Sequence, residues 1–526
     1  MLQLESNGLL GIGLFCLVPA ALLYVVNALF FRVANPPGVP LIREPTGKKS
    51  FSLKTRLAYM FDCETLFREA YQQYSKLGKA VIIPGFGFRD EIILPACSLR
   101  WVLAQPESVL SVTDAFVEVD QVVYSLGHER YVGDAWQGLL VKQEMNSVLE
   151  NIVAAMNDEL GIAFDARFGT DEENWKEIDL LSTVRMVVAQ AASRFTVGLP
   201  LCRNEQYLKD SFDVVDGCII NAGVTGGTPK ILRPIVGRLV SLKSQLAQKK
   251  VKKHFEPTYR ARLETLKHAK DDPSEPQDHL QMMVRFAERE RRHELYDLDI
   301  MARRLTAANF GSMHQTSLQV TNMLLNIMGS DEEYNTIAVL REEVNRILGD
   351  DATWTKAKVS KMTRADSVAR ETLRCQSFGG RAVFRKVMTD GVETDTGVKL
   401  PKGCIISFFS QPVHADEAKY EDPLKYDPFR FSRIREAAEN PSKANTLSFV
   451  STSPDHMPFG HGKHACPGRF LIDFELKMII AYVLTNYDVK FPAEYHDKRP
   501  ENKWLAEANI PPPGVKILIK RRKDAQ

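Results

Sequence analysis

Residues Phe459–Phe470 read FGHGKHACPGRF, a single cysteine, Cys466, among three glycines, a proline and basic side chains. The run Gly460-His-Gly462-Lys-His-Ala465 matches the GxGxxA form of a dinucleotide loop. That loop needs a buried strand before it and a helix opening directly on its third small residue. Here STSPDHMP precedes and Cys-Pro-Gly follows, which removes the reading. His456, His461, His464 and Cys466 are all zinc-ligand types, but they lack the knuckle or helix spacing and the distant partners of a zinc site. A turn whose cysteine simply packs in the core also satisfies the pattern.

A haem thiolate satisfies more of it. Glycines let the backbone lie close to a flat ring, and amide N–H groups aimed at sulfur can hold it anionic. Pro467-Gly468 then starts a helix, GRFLIDFELKMIIAYVL, whose N-terminal dipole favours the same charge state.

The rest of the chain is ordinary globular material, 526 residues with 44% hydrophobic and 25% charged side chains, enough for a large core. The balance of 68 basic against 66 acidic residues gives no field that would gather nucleic acid. The basic run Lys520–Lys523 reads as a solvated tail. Eight scattered cysteines with no CxxC pair exclude a disulfide framework and a zinc ribbon, and no glycosylation sequon occurs. A reducing, cytosolic setting fits.

Gly8–Phe31, GLLGIGLFCLVPAALLYVVNALFF, holds no charge over 24 residues. At ~1.5 Å per residue it spans a ~30 Å hydrocarbon layer. Glu5 before it and Arg32 after it suit an anchor better than a cleaved signal, and Arg32, Arg43, Lys48 and Lys49 put the remaining chain on the cytoplasmic side. Asn35–Pro40, NPPGVP, follows as a stiff turn. The expected layout is an anchor at 1–31, a proline-rich hinge at 32–50 and one body at 51–526.

Within the body the reading is mainly α with a minor β part. Helices are expected at Leu139–Leu160, Ile178–Val197, Tyr259–Lys270, Leu295–Met328, Asp331–Leu348, Ser360–Arg374 and Gly468–Leu484. Strands are expected at Ala80–Ile83, Glu91–Leu94, Ala382–Val387, Ile405–Phe409 and Val515–Ile519. Polar breaks at Lys270–Asp278 and Glu439–Asp455 are too short to divide the core.

Phe459, Gly460, Gly462, His464, Cys466 and Gly468 together resemble the cysteine-ligand signature of the cytochrome P450 family, with His464 where many members carry arginine. Glu371-Thr-Leu-Arg374 resembles its ExxR motif, and YDPFRF (Tyr426–Phe431) its second arginine motif, with Phe429 where an acid is common. Taken alone, Glu371 and Arg374 are an i,i+3 helix pair of ~0.2–0.5 kcal/mol, a type usually found on a solvated face. The resemblance covers essentially the whole chain and is nearest to fungal, membrane-bound members that tailor secondary metabolites.

That resemblance implies the P450 fold with one N-terminal transmembrane helix and haem b as cofactor. Cys466 would be the axial iron ligand and Phe459 would lie beside the ring. His464 would lie near one propionate and Arg385 would hold the other. It implies a structural triad of Glu371, Arg374 and Arg430. The partners would be an NADPH-dependent reductase, with cytochrome b5 as a further donor, and the place the endoplasmic reticulum membrane with a cytosolic catalytic domain.

The long helix Leu295–Met328 departs from the family pattern. Met301, Leu305, Ala308, Ser312 and Gln315 make one continuous face, and Gly311-Ser312 is a weak point where the hydrogen-bond ladder could open. The usual acid falls at His314 and the usual threonine at Gln315, with Thr316 next. A proton relay through His314, Gln315 and Thr316 is therefore one expectation, and a core or surface histidine at 314 is the other. The pocket is expected to be apolar, lined by Phe310, Met313, Gln376–Val383 and Ala508–Pro511, for a lipophilic substrate such as a terpenoid or polyketide. Three functions remain open: an O₂- and NADPH-consuming monooxygenase that hydroxylates or couples, a haem-thiolate isomerase or dehydratase needing no external electrons, and a haem carrier or sensor.

Overall fold

In the computed structural model, residues 33–267, 275–349, 353–440 and 444–524 are described. The 1–31 anchor expectation lies outside them. Among the described residues no helix is long and apolar enough to cross a membrane.

A 32-residue helix, Leu298–Gly329, runs through the middle. The Asp297 carboxylate caps it, accepting from the N–H groups of Asp299 (2.9 Å) and Ile300 (3.0 Å), two of the donors a helix start leaves free. Gly311-Ser312 does not open it, because packing of the surrounding helices overrides weak propensity. Ahead of it, Trp136–Phe168, Leu180–Thr196, Glu205–Gly227 and Leu242–Thr265 form a helical block. Behind it come Thr363–Cys375, which carries Glu371, and Arg469–Asn486, which follows Cys466.

Several sequence expectations are corrected here. Glu205–Gly227, absent from the expected helices, is helical, and one of its glycines is what lets it pack. A Cβ on Gly217 would come 2.3 Å from the Cβ of Ser244 on the neighbouring helix. That neighbour starts at Leu242 and runs through Pro257, not from Tyr259. Ile178 belongs to a strand, Lys176–Asp179, and the helix begins at Leu180. Asp331–Leu348 is broken at Asn335, whose φ of +49° asparagine tolerates better than most residues. Lys520–Lys523 is not a solvated tail. Lys516–Arg521 is a strand between Lys176–Asp179 and Tyr487–Lys490, and Arg521 pairs with Asp165 at 2.6 Å.

The main sheet has five strands in the order Val81–Pro84, Asp90–Ile93, Ile405–Phe409, Arg381–Val387, Leu110–Ser111. Only Asp90–Ile93 and Ile405–Phe409 pair in parallel. Its edge receives the end of the proline turn, where Ile82 N–H donates to Pro40 O (2.9 Å) and Ile42 N–H to Ile82 O (3.0 Å). Leu41 and Ile42, inside the 32–50 segment, are buried in the sheet's apolar core. One apolar cluster fills this sheet region, a second lies around the Arg469–Asn486 helix, and a third lies under the first half of the central helix. The central cavity opens between the first two.

Candidate functional site

The Cys466 loop is shaped by two left-handed glycines, Gly460 (φ +69°) and Gly462 (φ +74°). It closes on itself through Ala465 N–H to Gly462 O (3.1 Å) and Cys466 N–H to Phe459 O (2.9 Å). The N–H groups of Gly468 and Arg469 point at Sγ, with the Arg469 guanidinium alongside. Burial nevertheless pushes the thiol above its ordinary value, and these donors offset that only in part. The amide donors expected to hold the anion are thus present but insufficient alone, and a bound cation is what deprotonates a buried thiol outright.

Cys466 lines a cavity of about 480 Å³. Phe459 lines it too, its ring held edge-on to Phe449 at 5.2 Å. Across from the loop, the central helix contributes Gly311, Gln315, Thr316, Leu318, Gln319 and Asn322. The remaining wall includes the loop Gln376–Gly379, the strand residues Arg381–Arg385, and Phe116 and Asn509.

That strand departs from the simple alternation of a β-ladder. Its register with Ile405–Phe409 shifts between Ala382 and Arg385, and Val383 has φ of +57°. The bulge turns consecutive residues toward one cavity. Arg381 is used up by Glu91 and Glu507, each at 2.6 Å. Arg385 is buried, and its guanidinium donates to the Phe384 carbonyl at 2.8 Å. Burial lowers its pKa and Glu107 opposes that. His464 Nε2 lies 3.2 Å from Glu107 Oε1. Arg385 and His464 therefore share one corner of the cavity, where a carboxylate would find a cation short of counter-charge.

On the opposite wall the three relay candidates separate. Gln315 faces the cavity, and the buried Thr316 Oγ1 has no hydrogen-bond partner there. His314 is not among the lining residues. It sits edge-on to Phe378 at 5.7 Å, and burial holds its imidazole down to about 4, hence neutral. Phe310 and Met313 are likewise turned into the helix-helix core, since helical rotation of ~100° per residue puts them off the face carrying Gly311 and Gln315. Met301 and Leu305 are fully buried in that same core, so of the expected face only Gln315 meets the cavity.

Glu371 and Arg374 are not on a solvated face. Arg374 Nε donates to Glu371 Oε2 and Nη2 to Oε1, both at 2.7 Å, and Arg430 Nε reaches Oε1 at 3.0 Å. Arg374 also donates to the carbonyls of His414 (2.7 Å) and Pro423 (2.6 Å), tying the segment before the cysteine loop to its helix. The zinc alternative falls away. No three metal-ligating side chains converge among the described residues, and the buried His456 ring stacks on His414 at 5.1 Å.

Gln319 and Asn322 were missed from sequence, whereas Asn509 lies in the stretch Ala508–Pro511 that was expected to line the pocket. The first two carried a signal, because Gln315, Gln319 and Asn322 recur at i, i+4 and i+7 in an otherwise apolar helix. Phe116 was missed as well and carried none, since only folding brings it to the cavity.

A cavity with a cysteine sulfur on one side, a cationic corner for carboxylates and a long helix opposite suits a flat, iron-bearing ring. The family model described as Cytochrome P450 matches residues 139–519. The chain is 53% identical over 506 residues to "Cytochrome P450 monooxygenase pbrC" of Penicillium brasilianum, covering 95% of this chain and 94% of that one. It is also 53% identical to astC of Aspergillus terreus, with 96% of each covered, and 43% identical to tenB of Beauveria bassiana, with 97% and 98% covered. In fold it matches a cytochrome P450DA heme domain with a TM-score of 0.66 at 14% identity, covering 94% of this chain and 99% of that one. The chain belongs to the cytochrome P450 family. It is a monooxygenase whose cofactor is haem with thiolate-ligated iron.

Proposed function

We propose that the protein oxidises a lipophilic secondary metabolite, inserting or coupling through O₂, with electrons from NADPH delivered by a separate reductase. The observation that carries this is the single cavity shared by Cys466, the Arg385–His464 corner and Gln315. Haem bound there supplies O₂ activation. Cys466 Sγ would bind its iron, Phe459 would pack beside the ring, and Arg385 and His464 would hold its carboxylates.

The chain's own task at the distal side is to keep protons controlled and bulk water out. Gln315 orients a water by its carboxamide, and the unpartnered Thr316 hydroxyl passes the proton. His314, neutral and off the cavity wall, supports this arrangement from behind through Phe378.

A terpenoid or polyketide substrate fits the aromatic wall of Phe116, Phe378 and Phe384. A reductase docking at the Cys466 side, with cytochrome b5 as a further donor, is supported by Lys142 and Lys463 beside His464. Residues 1–31 serve as a single-pass anchor in the endoplasmic reticulum, residues 32–50 as the proline-rich hinge and 51–526 as the cytosolic catalytic domain. The support is that Val33 emerges at a cleft shared with Pro229, Lys230 and Arg233, next to the exposed Ile231, Ile235 and Leu239.

The test is to incubate the purified protein with extracts of metabolite precursors, with and without NADPH and reductase. Product only in the complete mixture supports the proposal. Product without electrons replaces it with an isomerase or dehydratase.

A further inference from the structure

Glu107 is an acid in a corner that otherwise gathers cations. Its Oε1 lies 3.2 Å from His464 Nε2, and its field reaches both Arg385 and His464, opposing the effect of burial on each. The positive groups whose fields reach His464 are Arg385, Lys463 and Lys142. Two features fix the carboxylate there. Glu107 stands in a tight turn, closed by the N–H groups of Val109 (2.9 Å) and Leu110 (3.0 Å) on Pro106 O, and the chain then enters Leu110–Ser111, which pairs with Val387 and Lys386 beside Arg385. Its second oxygen, Oε2, accepts from the N–H of Val112 at 2.9 Å, the first residue of the helix Val112–Asp120, and Val112 itself lines the cavity.

Holding the ring does not explain this charge. Haem brings two carboxylates of its own, and like charges that share one set of cations repel. Glutamine would still accept from the Val112 N–H without that repulsion. A fixed negative charge beside the ring does act on the iron: it stabilises the ferric state, which carries one positive charge more than the ferrous, and so lowers the reduction potential. We infer that Glu107 tunes the reduction potential of the bound haem, its charge offsetting part of the cationic corner that holds the ring's carboxylates. It acts through that corner and is a positioning residue. The step it governs is the passage of one electron from the reductase to ferric haem, giving ferrous haem, with no bond made or broken. The inference rests on placing the haem carboxylates at Arg385 and His464.

The test is the midpoint potential of the ferric–ferrous couple, measured by dye-mediated titration of the full-length holoprotein. Low ionic strength is used, because the Glu107 side chain is 43% exposed and salt screens its field. The wild type is compared with Glu107→Gln, Glu107→Ala, Glu107→Asp and Arg385→Gln, and the reduced carbonyl spectrum checks the thiolate in each. Glu107→Gln and Glu107→Ala should shift the midpoint to more positive values by similar amounts. Glu107→Asp keeps the charge and should stay closest to the wild type. Arg385→Gln removes a positive charge from the same corner and should shift the midpoint the other way.

An unchanged midpoint in Glu107→Gln, with Arg385→Gln shifted negative, overturns the inference. A shift in Glu107→Ala with none in Glu107→Gln overturns it as well, since glutamine keeps the acceptor for Val112 and the effect would then come from the lost helix contact. Should Glu107→Gln load no haem, Glu107→Asp against Glu107→Ala decides by the same rule: a more positive midpoint in alanine alone supports the inference, and equal midpoints end it. If neither Glu107→Gln nor Arg385→Gln moves the midpoint, the placement of the haem carboxylates at this corner is what fails.

Discussion

Glu371 and Arg374, three residues apart on one helix, meet in a two-point ion pair with both side chains at most 1% exposed. A surface pair at that spacing contributes a few tenths of a kcal/mol. Here each partner compensates a charge that would otherwise be buried alone, and Arg374 also holds two carbonyls of the segment leading to the cysteine loop.

Removing one member, as in Glu371→Ala or Arg374→Ala, is therefore expected to cost about 3–5 kcal/mol. Purified variants should show little or no haem incorporation by absorbance and a lowered unfolding temperature. Wild-type haem content in either variant would show the pair to be dispensable.

Cys466→Ala is expected to abolish the carbonyl band typical of a thiolate ligand. If that band persisted unchanged, another residue would be the ligand.

Val383 makes a prediction about sign. In an ordinary strand glycine is less stable than alanine by roughly 0.5–1 kcal/mol. At φ of +57° alanine keeps the strain and glycine loses it. Chemical denaturation should accordingly rank Val383→Gly above Val383→Ala. The ordinary order would mean that the backbone relaxes in solution.

Glu475 sets a pH dependence. It is 2% exposed, its Oε1 has no partner, and burial pushes its carboxyl up to about 8. Between roughly pH 4.5 and 8 the unfolded chain has this group ionised while the folded chain holds it protonated. The folded state then binds the extra proton, and its stability falls as pH rises, by up to ~1.4 kcal/mol per pH unit. Glu475→Gln should raise the unfolding temperature at pH 8 much more than at pH 5. An equal gain at both would show that the carboxyl is not held protonated.

The distal residues divide by geometry. Thr316→Val and Gln315→Ala should retain the haem spectrum and NADPH oxidation while diverting that consumption from product to peroxide. His314→Ala should change coupling least, because its ring does not reach the cavity wall. Unchanged coupling in Thr316→Val and Gln315→Ala would remove both from proton handling.

What the sequence settled alone is local. The cysteine loop with its left-handed glycines, the helix after it, the ExxR helix and the long central helix are written in spacings of a few residues, where backbone sterics and helical periodicity act directly. Short apolar runs also marked four of the five strands of the main sheet to within a residue or two, and the two-residue strand Leu110–Ser111 escaped.

The tertiary structure decided whatever depends on which surfaces meet. It turned Glu371 and Arg374 from a surface pair into a buried one, packed Gly217 of the helix Glu205–Gly227 against Ser244, and extended the expected strand at Val515–Ile519 to Arg521, which pairs with Asp165. By the rotation of one helix it put Gln315 and Thr316 on the cavity wall and left His314 off it, and it brought Phe116 there from almost two hundred residues away. Burial and the pairing of distant groups are properties of packing, and no short window of sequence contains them.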